Sequence, residues 1–172
     1  MQIYAHSANP NRKRHLLEDH LRQVAQQASV HARDLGLSEF ARCLGWWHDL
    51  GKIHPGFQRY LLRSEAGEPT RGQDHKLAGA LAAARAGLDL GAFIIQGHHG
   101  GLTNPQQIKL WMQQPARREA AEQASARATD TWPGLSECDA QLPQWVFKAP
   151  LDAEMLIRML LSALVDADYT DT

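Results

Sequence analysis

The chain has 172 residues, 44% of them hydrophobic, and a formal net charge of -1 with histidine counted neutral. That length suits one domain around a single core, and the charge balance excludes bulk electrostatic attraction as a reason to bind nucleic acid. No apolar run is long enough to span a bilayer, and the N-terminus lacks the apolar stretch of a signal peptide, so a cytoplasmic protein with no membrane contact is expected.

Helix formers dominate and alternating β-branched runs are absent, which predicts an all-α fold of about six to eight helices. Residues from about Arg14 to Leu35 read as one helix. Leu16, Leu17, His20, Leu21, Val24, Ala28 and His31 recur at three-to-four spacing, and Gly36 stops the run. Ser38 is placed to cap a second helix with Phe40, Leu44 and Trp47 on its inner face. His48 and Asp49 lie near its end, before a break at Gly51. Pro55 suits the first turn of a short helix holding Phe57, Tyr60, Leu61 and Leu62. Ser64 to Gly72 is a polar loop. Asp74 then caps an Ala-rich helix to about Arg85, with His75 in its first turn. Ala92 to His98 forms a short apolar helix stopped by Gly100 and Gly101. Asn104 and Pro105 open another through Trp111, with a further helix to about Arg127. Thr131 to Pro150 is irregular, and Leu151 to about Asp168 makes the closing helix. No internal repeat or second domain is visible.

Two thiols, Cys43 and Cys138, are far apart in sequence and suggest no disulfide framework. Cys43 reads as a small buried hydrophobe, and a reducing compartment follows. Local basic groups are Arg12, Lys13 and Arg14, then Arg59 and Arg63, then Arg117 and Arg118; each also reads as solvated surface.

The chemistry concentrates on imidazoles and carboxylates. His48 and Asp49 are adjacent at a helix end, where the backbone opens and both side chains can reach one ion. Lys52 adds a fixed positive charge three residues later. His20 lies on the apolar face of the first helix and, taken alone, would be a satisfied core histidine. His75 opens a helix, and His98 and His99 close one. Asp166 and Asp168 sit among Leu160, Leu161, Leu164 and Val165, where a carboxylate needs a cation or hydrogen bonds. Hydrolysis of a phosphodiester needs a metal to polarise phosphoryl oxygens and lower the pKa of water. A set rich in imidazole favours manganese, iron, cobalt or nickel, with magnesium a weaker fit. The set therefore reads as a metal-dependent hydrolase site.

The order of these residues resembles the HD phosphohydrolase superfamily. HDLGKIHPGFQRYL from His48, DHKLAGA from Asp74, IQGHHGGL from Ile95 and LLSALVDADYTDT from Leu160 resemble one branch of it, the HD nuclease domain of the type I CRISPR helicase–nuclease. The likeness runs from AHSANP at Ala5 to Thr172. It implies an all-helical domain holding one or two divalent ions, and metal-dependent cleavage of single-stranded DNA as endonuclease, often with 3′-to-5′ exonuclease activity. Position by position, it implies His20, His48, Asp49 and Asp168 around a first ion. His75, His98 and His99 go around a second, with Asp49 bridging. Lys52 then contacts substrate phosphate or the nucleophilic water. Asp168 matches the family's Ala-Asp-aromatic pattern, and Asp166 stays open as the alternative. His6 is a weaker candidate for the substrate groove.

Two further readings stand beside this one. The same metal chemistry serves an HD phosphohydrolase of nucleotides or cyclic oligonucleotides. The domain could instead be a docking module, although the lack of cysteine ligands argues against a closed structural zinc site. The implied partners are single-stranded DNA, a helicase domain in cis or trans, and a crRNA-guided surveillance complex. No Gly-x-x-x-x-Gly-Lys-Ser/Thr pattern is present, which points to a stand-alone subunit or, preferably, a piece of a longer protein, monomeric by itself. Trp46 and Trp47 read as core more than as stacking platforms; Trp111 is the better platform. His15 and His31 read as surface or packing residues, and His54 as a capping residue.

Overall fold

The apolar spacing resolves into eight α-helices among the described residues: α1 (Leu17–His31), α2 (Ser38–Trp47), α3 (Pro55–Glu65), α4 (Lys76–Arg85), α5 (Asp89–Gly97), α6 (Pro105–Gln113), α7 (Pro115–Thr131) and α8 (Pro150–Asp171). The computed structural model describes residues 2–8, 11, 13–134 and 137–171. Arg12 and Thr172, as well as Asn9 and Pro10 of the AHSANP stretch, lie outside them. Extended pairing among these residues is an isolated antiparallel bridge between Tyr4 and Leu16.

That bridge explains why α1 starts later than its apolar spacing predicts. Leu17 N–H donates to the Ile3 carbonyl at 2.8 Å and Ala5 N–H to the His15 carbonyl at 2.9 Å, so the chain before Leu17 is held extended. The helix also ends early, at His31, in a 3₁₀ turn over Arg33–Leu35 closed by Gly36 at φ 70°. Ser38 does not cap α2. It is the first helical residue, and its hydroxyl donates to the Ser29 carbonyl at 3.0 Å, tying α2 to α1. Proline opens α3, α6 and α7 as its missing N–H allows, with His54 and Asn104 side chains accepting the next free N–H at α3 and α6. α8 runs to Asp171, three residues beyond its expected end.

One apolar cluster gathers Phe40, Leu44, Trp47, Ile94, Ile95, Leu156 and Leu160, so α2, α5 and α8 share a core. A second gathers Leu17, Leu21, Leu50, Ile53, Leu77 and the alanine face Ala121, Ala124 and Ala128 of α7. Both depend on close backbone approach. A Cβ on Gly79 would sit 1.8 Å from the Trp47 carbonyl oxygen, so α4 crosses α2 only because that side chain is missing. α2 and α4 are thereby fixed to one another just where each presents a site histidine.

Contrary to the expectation of two separate thiols, Cys43 and Cys138 form a disulfide across 95 residues of sequence. The bond joins α2 to the irregular segment that leads into α8. It removes the argument from free thiols to a reducing compartment. No helix among the described residues is long and apolar enough to cross a membrane.

Candidate metal centre

Each candidate ligand comes from the end of a helix or from its inner face. α1 presents His20 from its buried side. α2 stops at Trp47, and the chain turns through His48 and Asp49 into a 3₁₀ turn over Leu50–Ile53, which points both side chains inward. Asp74 accepts from the N–H groups of Lys76 and Leu77 at 3.1 and 3.3 Å, capping α4 and setting His75 at its entrance. Arg117 donates to the other oxygen of Asp74. Gly51 N–H donates to the His75 carbonyl at 3.0 Å, joining the His48–Asp49 turn to the start of α4. His98 and His99 follow the last residue of α5, and α8 brings Asp168.

These elements bring two ligand sets together around one carboxylate. On one side, Asp49 Oδ2 lies 3.4 Å from His48 Nε2 and 3.5 Å from His20 Nε2. Asp168 Oδ1 lies 3.4 Å from His20 Nε2 and 3.6 Å from His48 Nε2. On the other side, Asp49 Oδ1 lies 3.4 Å from His75 Nε2, 3.4 Å from His98 Nε2 and 3.9 Å from His99 Nε2. Each set offers one ligand atom per residue, all within 4.8 Å of one another.

The donor set fits divalent ions. Metal–ligand bonds of about 2.1 Å place tetrahedral ligand atoms roughly 3.4 Å apart, which is the separation seen. The Nδ1 atoms of His48 and His98 each lie 2.7 Å from a carbonyl oxygen, of Gly45 and Ile95. A carbonyl only accepts, so Nδ1 carries a proton, and once the ring is neutral its Nε2 lone pair faces inward. Asp49 Oδ1, Asp49 Oδ2 and His98 Nε2 are buried with no well-formed hydrogen bond. A buried carboxylate in that state demands a cation. Lys52 Nζ reaches Asp49 Oδ2 at 2.5 Å, off the hydrogen-bonding directions, and so acts as a charge partner.

The electrostatics agree. Burial pushes the Asp49 carboxyl up, but the Lys52 ammonium and the His48 and His20 rings overcome it and hold the group well below the usual carboxylate range. Burial pushes His48 down, and the Asp49 and Asp168 carboxylates more than reverse this, raising it to about 9. Burial likewise opposes ionisation of Asp168, yet the hydrogen bond and charge of His48 bring it to about 2. The carboxylates that favour a proton on His48 would favour a metal cation on that side, whereas His75 and His99 are lowered, by burial first.

The remaining sequence candidates fall into place around this centre. Asp166 is turned to solvent, 3.5 Å from His31 Nδ1, so α8 points Asp168 and not Asp166 at the imidazoles. The His6 ring packs edge-on to His20 at a centroid distance of 5.0 Å; burial and the Lys52 charge lower it to about 4. Trp47 is core, and Trp46 is half-buried under Arg22. Trp111 carries the Arg117 guanidinium over its ring, 5.1 Å from the centroid. The sequence reading did not single out Asp171, and it took His15 for a surface or packing residue. Asp171 Oδ2 lies 2.6 Å from His20 Nδ1 and 3.5 Å from His15 Nδ1. The i, i+3 spacing from Asp168 was the available signal, since it puts both carboxylates on one face of α8.

The family model described as "Cas3, HD domain" matches residues 5–167, nearly the whole chain. The chain belongs to the Cas3 HD domain family. Membership implies a metal-dependent hydrolase of the nuclease and phosphohydrolase kind, and a CRISPR setting with a DNA substrate and a helicase partner. The matched span stops one residue short of Asp168, so Asp168 as a candidate ligand and Asp171 stand on the geometry above. No curated protein matches the chain.

Proposed function

We propose that this Cas3 HD domain is a nuclease that cleaves single-stranded DNA using two divalent ions held on either side of Asp49. The observation that supports it most is the division of Asp49: one oxygen faces His20 and His48, the other His75, His98 and His99. In this reading His20, His48, Asp49 and Asp168 hold one ion, and His75, His98 and His99 hold the second with Asp49 bridging.

Ions there would polarise a phosphoryl oxygen, lower the pKa of water and neutralise charge on both attacking and leaving oxygens. The imidazole-rich set favours manganese, cobalt, nickel or iron over magnesium. The chain's own residues do the rest. Asp49, His20 and His48 are sealed from solvent, whereas His99 is 44% exposed by side chain, so substrate approaches from the His75–His99 side. Lys52 keeps Asp49 ionised and adds positive potential beside the phosphodiester. His6, edge-on to His20 at 5.0 Å, is the weaker candidate for contact with substrate. A single strand would be held by backbone charge and stacking, delivered by a helicase in cis or trans and a crRNA-guided complex, in the cytoplasm.

The test is cleavage of circular single-stranded DNA with manganese, cobalt, nickel or magnesium, alongside elemental analysis of bound metal. Wild-type protein should nick the circle in a transition metal. His48→Ala, Asp49→Ala and Asp168→Ala should fall to the chelated background, while Asp166→Ala should retain activity. Cleavage that persists in Asp49→Ala, or turnover of free nucleotides that outpaces DNA, would overturn the proposal.

A further inference from the structure

The His20 side chain uses both ring nitrogens. Nε2 faces Asp49, Asp168 and His48; Nδ1 lies 2.6 Å from Asp171 Oδ2. Every other inward-facing histidine whose Nδ1 partner is defined here uses a backbone carbonyl: His48 that of Gly45, His98 that of Ile95, His75 that of Gln73. His20 alone rests on a carboxylate, from the far end of the chain. His15 completes the group, its Nδ1 3.5 Å from the same Asp171 oxygen and its ring edge-on to His20 at 5.7 Å.

His15, His20 and Asp171 lie close enough to hold an ion of their own. That use competes with the site already described. A neutral imidazole has one lone pair, so a metal on Nδ1 places the proton on Nε2 and aims it at the inner ligand set. The 2.6 Å contact has the length of a charge-assisted hydrogen bond. Asp171 is sealed to 4% exposure by side chain, and His20 is fully buried. A sealed carboxylate against a sealed ring nitrogen selects the tautomer and fixes the ring plane.

We propose that Asp171 is a positioning residue: it accepts the Nδ1 proton of His20, so that the Nε2 lone pair is always presented to the ion shared with His48, Asp49 and Asp168. This rests on the metal-binding reading above. α8 then contributes twice to one ion, through Asp168 directly and through Asp171 one turn later. Partners of this kind typically change metal affinity about 10- to 100-fold when removed.

The experiment measures manganese binding by calorimetry to the wild-type chain, Asp171→Ala and Asp171→Asn, with thermal melts in chelator to compare the metal-free folds. Asp171→Ala should weaken the tighter binding step about 10- to 100-fold. Asp171→Asn, whose amide oxygen still accepts from Nδ1, should recover most of that loss. A purely structural role would lower the melting temperature in chelator without this ordering. In parallel, nitrogen-15 spectra of zinc-loaded wild-type protein should show His20 protonated on Nδ1 and bound through Nε2; this arm decides the matter even where Asp171→Ala does not fold. Unchanged affinity in Asp171→Ala, or zinc on Nδ1, refutes the role of Asp171 and leaves the metal centre standing. A wild-type chain that binds no metal refutes the centre, and this inference with it.

Discussion

Lys52 Nζ is nearer to Asp49 Oδ2 than any imidazole nitrogen is, at 2.5 Å against 3.4 Å for His48 and 3.5 Å for His20. The chain therefore supplies its own cation to the carboxylate that both ligand sets share. Two residues separate the pair, and the 3₁₀ turn over Leu50–Ile53 returns the lysine stem to the same buried spot. Removing one member of a buried ion pair costs about 3–5 kcal/mol. Lys52→Met should accordingly destabilise the domain by about 3 kcal/mol in chelator, and added manganese should restore part of that. Urea melts with and without metal measure both quantities; equal midpoints for mutant and wild type in chelator contradict the assignment.

Metal-free stability should peak near pH 6.5. His48 is raised from 6.5 to about 9, so its contribution is full below 6.5 and disappears as pH climbs through 9. His6 and His99 are lowered from 6.5 to about 4 by burial first, with neighbouring positive charge assisting. Between those pH values the unfolded chain takes up protons that the folded chain refuses, so stability falls as pH drops from 6.5 toward 4. Asp168, lowered from 3.8 to about 2, adds a further loss below 3.8. Chelator-treated protein melted across pH 4 to 9 should trace a dome, and replacing His48 with Gln should flatten its alkaline side.

Gly51→Ala should damage the outer ligand set more than the inner one. Its Cβ would lie 2.3 Å from the His75 carbonyl oxygen, so the start of α4 has to move. Overpacking of this kind costs about 1–3 kcal/mol. Calorimetry should show the weaker metal-binding step lost or reduced while the tighter step changes little. Two unaltered binding steps would show that the backbone absorbs the methyl group elsewhere.

Reduction of Cys43–Cys138 should lower stability by up to about 4–5 kcal/mol, the loop-closure value for a crosslink spanning 95 residues. Cys138→Ser should reproduce the loss, and free-thiol counts before and after reductant verify the bond. Two reactive thiols in untreated, unfolded protein would remove the crosslink from the description.

Most of the fold was legible because its signals are local. Proline at the first turns of α3 and α6, Gly36 after the first helix, and the apolar spacing of α1 all act within a few residues. The candidate ligands were legible one at a time, since His48–Asp49 and His98–His99 stand at helix ends, but their division between the two oxygens of Asp49 is a property of α1, α2, α4, α5 and α8 packed together. Asp171 was missed because the closing helix was expected to fade at Asp168. The Cys43–Cys138 bond was missed because nothing local joins residues so far apart, and Ser38 was misread because a capping position and a first helical residue look alike in sequence.

The unequal sealing of the two ligand sets has a kinetic consequence. An ion among His20, His48, Asp49 and Asp168 would meet solvent only past the 13% exposed Asp168 side chain, whereas one beside His75 and the half-open His99 would meet it directly. Brief treatment with a weak chelator should strip the domain to a long-lived one-ion form, and refilling the outer position with a different metal from the inner one becomes a practical route to mixed-metal protein.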